Sequence, residues 1–263
     1  MPKITKTHIN RLIELEASVQ YDESPPAEEK PFIVKDGKFP ILISAPHGAR
    51  TFRDNDKEVW HEEDEYTAGM AQLLGELCDV PVIATVLKND DYDPNYVRDD
   101  NVAYKQAIRS MITENGVQFV IDLHGAGLNS ETLASDQTID LGYRGKKKHE
   151  RSMDKKHIEK LERILQIDKN QDDLTCSIVD HNKFPAKGRG TITTFVFCRF
   201  GIDTTYSVQS IQIEIKPQLR VAHRFSTASL FPSNGKYDAD PNCIIHMLQA
   251  LVDFIEYLKE ESK

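Results

Sequence analysis

The chain has 263 residues, with 33 lysines and arginines against 42 aspartates and glutamates, so its formal net charge at pH 7 is −9. This length is typical of one folded domain, and 39% hydrophobic residues argue against general disorder. The acidic balance argues against a nucleic-acid partner, because binding to phosphates needs a basic surface. Without a long apolar stretch or a signal-peptide core, we expect a cytoplasmic protein with no membrane partner.

The N-terminal segment predicts an amphipathic helix. Its apolar residues recur at steps of three or four, the spacing of one helix face: Ile9, Leu12, Leu15 and Val19. Ser-Pro-Pro at residues 24–26 then interrupts the pattern, because prolines favour turns. We therefore divide the chain into an N-terminal helix with an irregular connection, residues 1–35, and a single α/β domain, residues 36–263.

Apolar strands alternate with helices in the following segment. Runs rich in branched residues predict buried strands at 40–48, 80–87 and 117–127. Helical spacing predicts helices at 64–77 and 101–115. This alternation is typical of an α/β layered domain with a largely parallel sheet.

The pattern weakens beyond residue 130. The basic segment 144–151 is interpreted as a solvated loop, with an arm for an anionic substrate as the alternative. We predict helices at 154–167 and 242–261 and strands at 191–200 and 206–216. The four cysteines are Cys78, Cys176, Cys198 and Cys243, and they form no C-x-x-C pair. We therefore expect reduced thiols, with two of the four in strands.

Two histidines stand at the ends of predicted strands. His47 ends the first strand in SAPHGA, and His124 ends the third strand in DLHGA. Glycine follows each of them, so each histidine adjoins backbone that can bend sharply. Ligands gather at the carboxyl ends of parallel strands, so we expect both imidazoles at one edge of the sheet.

An acidic cluster lies between these two strands, at the start of a predicted helix. Its members are Glu62, Glu63, Asp64 and Glu65. Carboxylates at a helix start are compatible with capping alone. Two imidazoles and one carboxylate are nevertheless the usual ligands of a catalytic zinc, with a fourth position left for water. The sequence therefore predicts a metal site here, with Asp122 available to support His124.

The remaining histidines are weaker candidates. We keep three as reserve ligands: His61, His181 and His223. Four others are expected on helix or loop surfaces: His8, His149, His157 and His246. The chain contains no H-E-x-x-H, G-x-S-x-G or glycine-rich phosphate loop, which argues against metzincin-like proteases, serine hydrolases and P-loop enzymes.

Four motifs together resemble the N-formylglutamate amidohydrolase family. They are SAPHGA, Glu63-Asp64-x-x-Thr67, VIDLHGAG and SIQIEIK, which occur in the family's order within residues 40–217. The family is similar to zinc carboxypeptidases and poly-γ-glutamate hydrolases. The resemblance therefore implies a three-layer α/β/α sandwich of the zinc exopeptidase-like, phosphorylase/hydrolase-like type, with a mixed, largely parallel sheet.

The resemblance also implies roles for individual residues. His47, His124 and either Asp64 or Glu63 would bind one zinc ion, although such ligands also accept manganese, cobalt or iron. Glu214, in the Q-I-E strand, would act as the general base. Without the resemblance, its place in an alternating strand predicts the exposed face.

A small carboxylated substrate would need a cation, and arginine suits bidentate capture of a carboxylate. The candidates for holding either this carboxylate or the developing oxyanion are Arg98, Arg189 and Arg220. Arg189 is favoured, and is expected to be catalytic, because glycines flank it. Family members often carry Asp-x-Asn-Arg after the second strand, and the comparable stretch here contains Arg98 and Asn101 but no arginine after the asparagine. Arg98 and Asn101 are therefore candidates for substrate binding, and the substrate need not be formylglutamate.

Three functions remain open. The first is a metal-dependent amidohydrolase that acts on a small N-acylated, N-formyl or γ-glutamyl compound. The second is a zinc peptidase or esterase, and the third is a non-catalytic α/β domain that binds an anionic metabolite or a protein. Glu214 together with the two histidines favours an enzyme, because a binding module has no need of a base beside three ligands.

Overall fold

A seven-stranded mixed sheet forms the centre of the fold. The computed structural model describes residues 2–54, 59–127, 138–166, 178–222 and 239–262. The sheet strands are β1 (Phe32–Lys35), β2 (Ile41–Ala45), β5 (Val82–Thr85), β6 (Phe119–Gly125), β7 (Thr138–Gly142), β8 (Ile178–His181) and β9 (Gln209–Ile215). The short strands β3 (Thr51–Asp54) and β4 (Val59–His61) form a separate antiparallel pair.

The strand order across the sheet is β1-β5-β2-β6-β9-β7-β8. The four central strands, β5, β2, β6 and β9, are mutually parallel. Strand β1 is antiparallel to β5 at one edge, and β7 is antiparallel to β9 and parallel to β8. The largely parallel, mixed sheet expected from the sequence is confirmed.

Helices cover both faces of this sheet. They are α1 (Lys6–Glu16), α2 (Thr67–Cys78), α3 (Ala103–Thr113), α4 (Lys155–Leu165), α5 (Ile192–Phe200) and α6 (Pro241–Glu261). Helices α1, α2, α4 and α6 share one apolar core with the sheet, and α3 and α5 share a second core on the opposite face. The predicted three-layer α/β/α sandwich is therefore confirmed. No helix in the described ranges is long and apolar enough to span a bilayer.

Residues 191–200, predicted as a strand, form helix α5 instead. Thr191 caps the helix, since its side-chain oxygen accepts a hydrogen bond from the Thr194 backbone N–H at 3.2 Å. Branched and aromatic residues favour a strand locally. The buried apolar residues nevertheless recur at helical spacing: Ile192, Phe195, Val196 and Phe200. Packing of this stripe against α3, β6 and β9 outweighs the local preference.

The prediction of two cysteines in strands is also wrong. Cys78, Cys198 and Cys243 lie in helices α2, α5 and α6, and all three are free thiols. Cys176 lies outside the described residues. Burial among apolar side chains raises the pKa of Cys78 to about 12, which leaves this thiol unreactive.

Several short strands had no sequence signal. Strand β1 lies in the segment assigned to an irregular connection, where it pairs with β5. Helix α1 forms as predicted and packs on α2 and α6, so residues 1–35 contribute to the same core as the residues that follow. Strands β7 and β8 fall in the polar stretch beyond residue 130. Each of these three strands has only four or five residues, too few to show an alternation.

His157, expected at the surface, is 2% exposed. Its Nδ1 lies 3.0 Å from the Tyr257 hydroxyl, and its ring packs edge-on against Phe119. The helical face of α4 turns this histidine toward α6, so the surface prediction is wrong. The lysines of the basic segment, by contrast, are exposed as expected of a solvated loop: Lys146, Lys147 and Lys148.

Candidate metal centre

The two strand-end histidines meet at one edge of the sheet. His47 lies just beyond β2, His124 lies within β6, and these neighbouring strands are parallel. Their ring centroids are 4.9 Å apart at an interplanar angle of 74°. The loop before α2 closes over them, because the Asp64 backbone N–H donates to the His47 carbonyl at 2.7 Å.

The glycines that follow the histidines make room for these close contacts. A Cβ at Gly48 would lie 2.4 Å from both the Ala68 side chain and the Thr85 carbonyl oxygen. A Cβ at Gly125 would lie 2.9 Å from Cβ of Asp64. Neither glycine has positive φ. Space for neighbouring groups, and not a sharp bend, is therefore what requires glycine at both positions.

Both imidazoles direct Nδ1 toward a single carboxylate oxygen. Oδ2 of Asp64 lies 3.4 Å from Nδ1 of His47 and 3.5 Å from Nδ1 of His124. The three residues are 5% exposed or less. Within the described part of the chain, His47 Nδ1 and Asp64 Oδ2 are buried without a hydrogen-bond partner. Buried polar atoms without partners are rare, and here they face one another in a way that suits a shared cation.

The other nitrogen of each ring contacts a second carboxylate. Nε2 of His47 lies 2.8 Å from Oδ1 of Asp93, and Nε2 of His124 lies 3.0 Å from Oδ2 of Asp122. A carboxylate accepts, so each Nε2 carries the proton and a neutral ring keeps its lone pair on Nδ1. Asp122 is itself held by the Ser44 hydroxyl, which donates to Oδ1 at 2.8 Å. Carboxylates that orient histidines in this way are typical of metal sites.

These carboxylates also set the charge of the two rings. Burial disfavours the imidazolium, but the charge of Asp93 and the contacts with Asp64 and Asp93 raise the pKa of His47 to about 9. Asp122 raises the pKa of His124 well above its ordinary value despite the same burial. Burial would raise the pKa of Asp64, yet its contacts with the two rings lower it. Without a metal, two imidazolium protons therefore balance the buried carboxylates.

His61, a reserve ligand in the sequence, joins this group. Its ring stacks on His47 with centroids 3.8 Å apart, and its Nδ1–H donates to the Glu62 carbonyl at 2.6 Å. Burial lowers the pKa of His61 to about 4, so this ring is neutral. One possible metal-ligand atom from each of His47, His61 and Asp64 lies within 4.8 Å of the other two. Two imidazoles and a carboxylate suit a divalent ion such as zinc. His47 and Asp64 would supply two of these ligands, and His61 and His124 are the alternatives for the second imidazole.

Glu63, the alternative carboxylate ligand, pairs with the Arg50 guanidinium. Its Oε2 lies 3.5 Å from Nε of Arg50. Burial raises the pKa of Glu63 to about 7. The geometry therefore favours Asp64 over Glu63, since Asp64 contacts both strand-end histidines.

Glu214 lies beside the histidines. It pairs in register with His124 across β6 and β9, so both side chains point to the same face of the sheet. The Gln212 side-chain amide donates to Oε1 of Glu214 at 2.8 Å. Burial raises the pKa of Glu214 to about 7, and its charge interacts with that of His124. The exposed position that strand alternation predicts is therefore not observed.

A cleft of about 610 Å³ borders Asp93, the carboxylate that contacts His47. Its walls are the loop after β5 and the loop before α5, which bring together Arg98 and Arg189. Asp93, which contacts Nε2 of His47, also lines this cleft, and it is the residue that links the cleft to the candidate metal centre. The two arginines are exposed, as a binding role for a charged substrate requires.

The structure places the other two substrate-binding candidates elsewhere. Arg220 is 4% exposed and donates from Nε to the Ile215 carbonyl at 3.0 Å. Asn101 is exposed and accepts a hydrogen bond from the Gln106 side chain at 3.4 Å. Neither residue lines the cleft. The reserve ligand His181 pairs with Glu162 at 3.3 Å, and His223 lies outside the described residues.

Asp93 is the site residue that the sequence reasoning missed. It follows β5 and lies two residues before Asn95. The Asn95 side chain accepts from the Ile192 backbone N–H at 2.8 Å, which ties this loop to α5.

Several solved structures match this chain at low sequence identity. The N-formylglutamate amidohydrolase of Ralstonia eutropha JMP134 matches with a TM-score of 0.55 and 16% identity, over 88% of this chain and 98% of that chain. A gene product of Agrobacterium tumefaciens matches at 0.52 and 12%, over 91% and 99%. A bacteriophage poly-γ-glutamate hydrolase matches at 0.46 and 12%, over 89% and 92%.

The sequence matches no family model and no curated protein. At these identities, the first two structures establish a shared fold alone. The chain thus has the α/β architecture of an N-formylglutamate amidohydrolase, and a buried group of histidines and aspartate that could hold a metal ion.

Proposed function

We propose that this protein is a metal-dependent amidohydrolase that cleaves a small N-acylated amino acid, with N-formyl and γ-glutamyl compounds as the first candidates. The observation that carries the proposal is the approach of two histidine Nδ1 atoms to one buried aspartate oxygen. A carboxylate orients the outer nitrogen of each ring. This arrangement suits a catalytic divalent cation, for which zinc is the proposed ion.

His47 and Asp64 would hold the ion, with His124 as the third ligand. Such an ion supplies Lewis acidity, which lowers the pKa of a water molecule and polarises a carbonyl group. Glu214 would accept the proton of the attacking water and return it to the leaving amine. Its pKa of about 7 suits both steps, since the group can gain and lose a proton near neutral pH.

Arg98 and Arg189 would bind the carboxylate of the substrate. Both are exposed in the cleft that reaches Asp93, whereas Arg53 in the same cleft already donates to Asp93 at 2.9 Å. Arginine binds a carboxylate through two parallel hydrogen bonds, which fixes the orientation of the substrate. A carboxylated substrate is therefore expected to bind better than its neutral analogue.

Substrate profiling of the zinc-supplied protein tests this proposal. We would compare N-formyl, N-acetyl and γ-glutamyl amino acids with the same compounds amidated at the carboxylate. The expected result is cleavage of the carboxylated compounds, with a KM that rises in Arg189→Met. Arg199→Met is the matched control, because Arg199 pairs with Asp100 and does not line the cleft. Failure to cleave any of these amides would contradict the proposal.

The same assay separates the alternatives. Release of C-terminal residues from peptides, with no activity on N-acyl amino acids, would identify a peptidase. Cleavage of the matched esters, without cleavage of the amides, would identify an esterase. Tight binding of the carboxylated compounds without turnover would support the non-catalytic binding domain.

A further inference from the structure

Arg220 is buried beside the candidate metal centre and does not line the cleft. Its Nε donates to the Ile215 carbonyl at 3.0 Å, and its Nη1 donates to the Glu65 carbonyl. These carbonyl groups come from β9 and from the loop before α2. One buried guanidinium therefore joins two segments that are far apart in the sequence.

In each of these two segments, the residue that accepts from Arg220 comes immediately after a residue of the proposed site. Glu65 follows Asp64, and Ile215 follows Glu214. The third segment is β6, where a Cβ at Gly125, next to His124, would lie 2.5 Å from Nη2 of the arginine. The guanidinium thus packs against the backbone beside a proposed ligand carboxylate, a histidine and the proposed base.

Glu16, the last residue of α1, supports the same loop from the other side. This carboxylate is fully buried. Oε1 accepts from the Tyr66 backbone N–H at 2.5 Å, and Oε2 accepts from the Gly69 backbone N–H at 2.8 Å. The Tyr21 hydroxyl also donates to Oε1, at 2.5 Å. A carboxylate can accept all three hydrogen bonds, whereas an amide would turn a donor toward one of these N–H groups.

The loop needs this support because its conformation is unfavourable. Tyr66 has φ of 70° and ψ of −3°, the left-handed region that side chains other than glycine rarely adopt. The Tyr66 turn leads the chain from Asp64 into α2. Such conformations persist only where the surroundings hold them, and they often occur at functional sites.

The charges of the two supporting residues complement one another. Burial disfavours the charged form of Arg220, and the nearby acidic groups, which include Asp64 and Glu16, favour it. Burial raises the pKa of Glu16 to about 7, whereas its three hydrogen bonds and the charge of Arg220 favour the carboxylate form. A buried guanidinium without acidic neighbours would be strongly unfavourable, so each group makes burial of the other tolerable.

We propose that Arg220 and Glu16 are positioning residues that hold the Asp64–Tyr66 turn against His124 and Glu214. Arg220 would therefore affect the substrate only by positioning this turn. This role replaces the direct binding of the substrate that the sequence suggested. The N-terminal helix, through Glu16, becomes part of the support of the site. The consequence for catalysis rests on the proposed function, whereas the positioning itself is a property of the metal-free chain.

Two variants test the proposal. Arg220→Lys keeps the charge but cannot reach both carbonyls in the same way, and Glu16→Gln removes an acceptor. Arg11→Gln is the control, because Arg11 joins α1 to Glu76 of α2 at 2.8 Å without contacting the turn. Amide hydrogen exchange would be measured on the full, metal-free chain, together with cobalt(II) affinity and the cobalt absorption spectrum.

The proposal predicts faster exchange at Tyr66 and Gly69 in both variants, by about tenfold. Glu16→Gln impairs the acceptor of these amides, and Arg220→Lys weakens the hold on the Glu65 carbonyl in the same turn. It also predicts cobalt affinity at least about tenfold weaker, with an altered spectrum, as when support of a ligand is removed. Arg11→Gln should retain wild-type exchange at the turn and wild-type cobalt binding. A purely structural role would instead speed exchange throughout the chain and leave the folded fraction with the wild-type cobalt spectrum.

Two outcomes separate this inference from the proposed function. If the wild type binds no cobalt but both variants show faster exchange at the turn, the positioning role stands and the metal-dependent hydrolase fails. If exchange at the turn stays at the wild-type rate in both folded variants, the positioning role is overturned, whatever the metal content.

Discussion

The Asp93 carboxylate lies 2.8 Å from Nε2 of His47, while Nδ1 of the same ring faces Asp64. Arg53 donates to the other oxygen of Asp93 at 2.9 Å, so the carboxylate is itself fixed. Because Nε2 must donate to this carboxylate, a neutral His47 carries its lone pair on Nδ1. The loop after β5 thus sets the state in which His47 can bind a metal ion.

Replacing Asp93 should therefore weaken metal binding without removing a ligand. We expect Asp93→Asn to reduce zinc affinity by roughly 10–100-fold, the usual effect of losing a carboxylate that orients a ligating histidine. Competition with a chromophoric chelator measures this change. Asp91→Asn is the control, because Asp91 lines the same cleft but is exposed. Equal affinity of wild type and Asp93→Asn would contradict the assigned role.

The third ligand can be identified by comparing two histidine variants. His124 lies in a central strand and is oriented by Asp122, whereas His61 is at the end of the short strand β4. We expect His124→Ala to lose more zinc affinity than His61→Ala, as measured by the same competition. The reverse order would assign the ligand role to His61 and make His124 a neighbour of the ion.

Metal binding should release protons at neutral pH. The raised pKa values of His47, about 9, and of His124 mean that both rings are protonated in the metal-free protein at pH 7.5. A metal at Nδ1 must displace these protons, so about two should be released per ion bound. Affinity should accordingly rise as the pH rises toward 9. Titration with zinc in weakly buffered indicator solution measures the release, and a titration without acidification would refute this protonation scheme.

Glu214 should govern the pH dependence of activity. A general base must be ionised, so activity should be low below the pKa of Glu214 and rise with pH. The midpoint should lie at or below about 7, since a bound cation favours the carboxylate. We expect Glu214→Gln to retain metal and lose roughly 10²–10⁴-fold in kcat. Initial rates between pH 5 and 9 provide the check, and a variant that keeps the wild-type rate would exclude the general-base role.

The sequence was most informative where a strand forms one continuous buried apolar run. The strands that end at His47 and His124 are buried apolar runs, and their ends meet at one sheet edge as their parallel arrangement predicts. Helix α5 shows the limit of this reasoning. Its β-favouring residues outnumber its helix formers, and only packing against β9 and α3 shows that the helical spacing of its apolar residues decides the structure.

Residues recruited from loops were harder to predict. Asp93 lies eight positions after β5 ends, and nothing in its immediate sequence shows that the loop folds back onto His47. His61 approaches through the short β3–β4 pair, which gave no sequence signal. Arg220 has the sequence context of a surface arginine, and its burial depends on carbonyl groups supplied by two distant segments.

The most direct test of the metal-dependent account is elemental analysis of protein purified without chelator and then supplied with zinc. The account predicts about one zinc per chain in the wild type, and much less in His47→Ala and Asp64→Asn at an unchanged fold. A wild-type protein that stays empty after zinc is supplied would contradict it. The histidines would then be structural residues whose protons neutralise Asp64, Asp93 and Asp122.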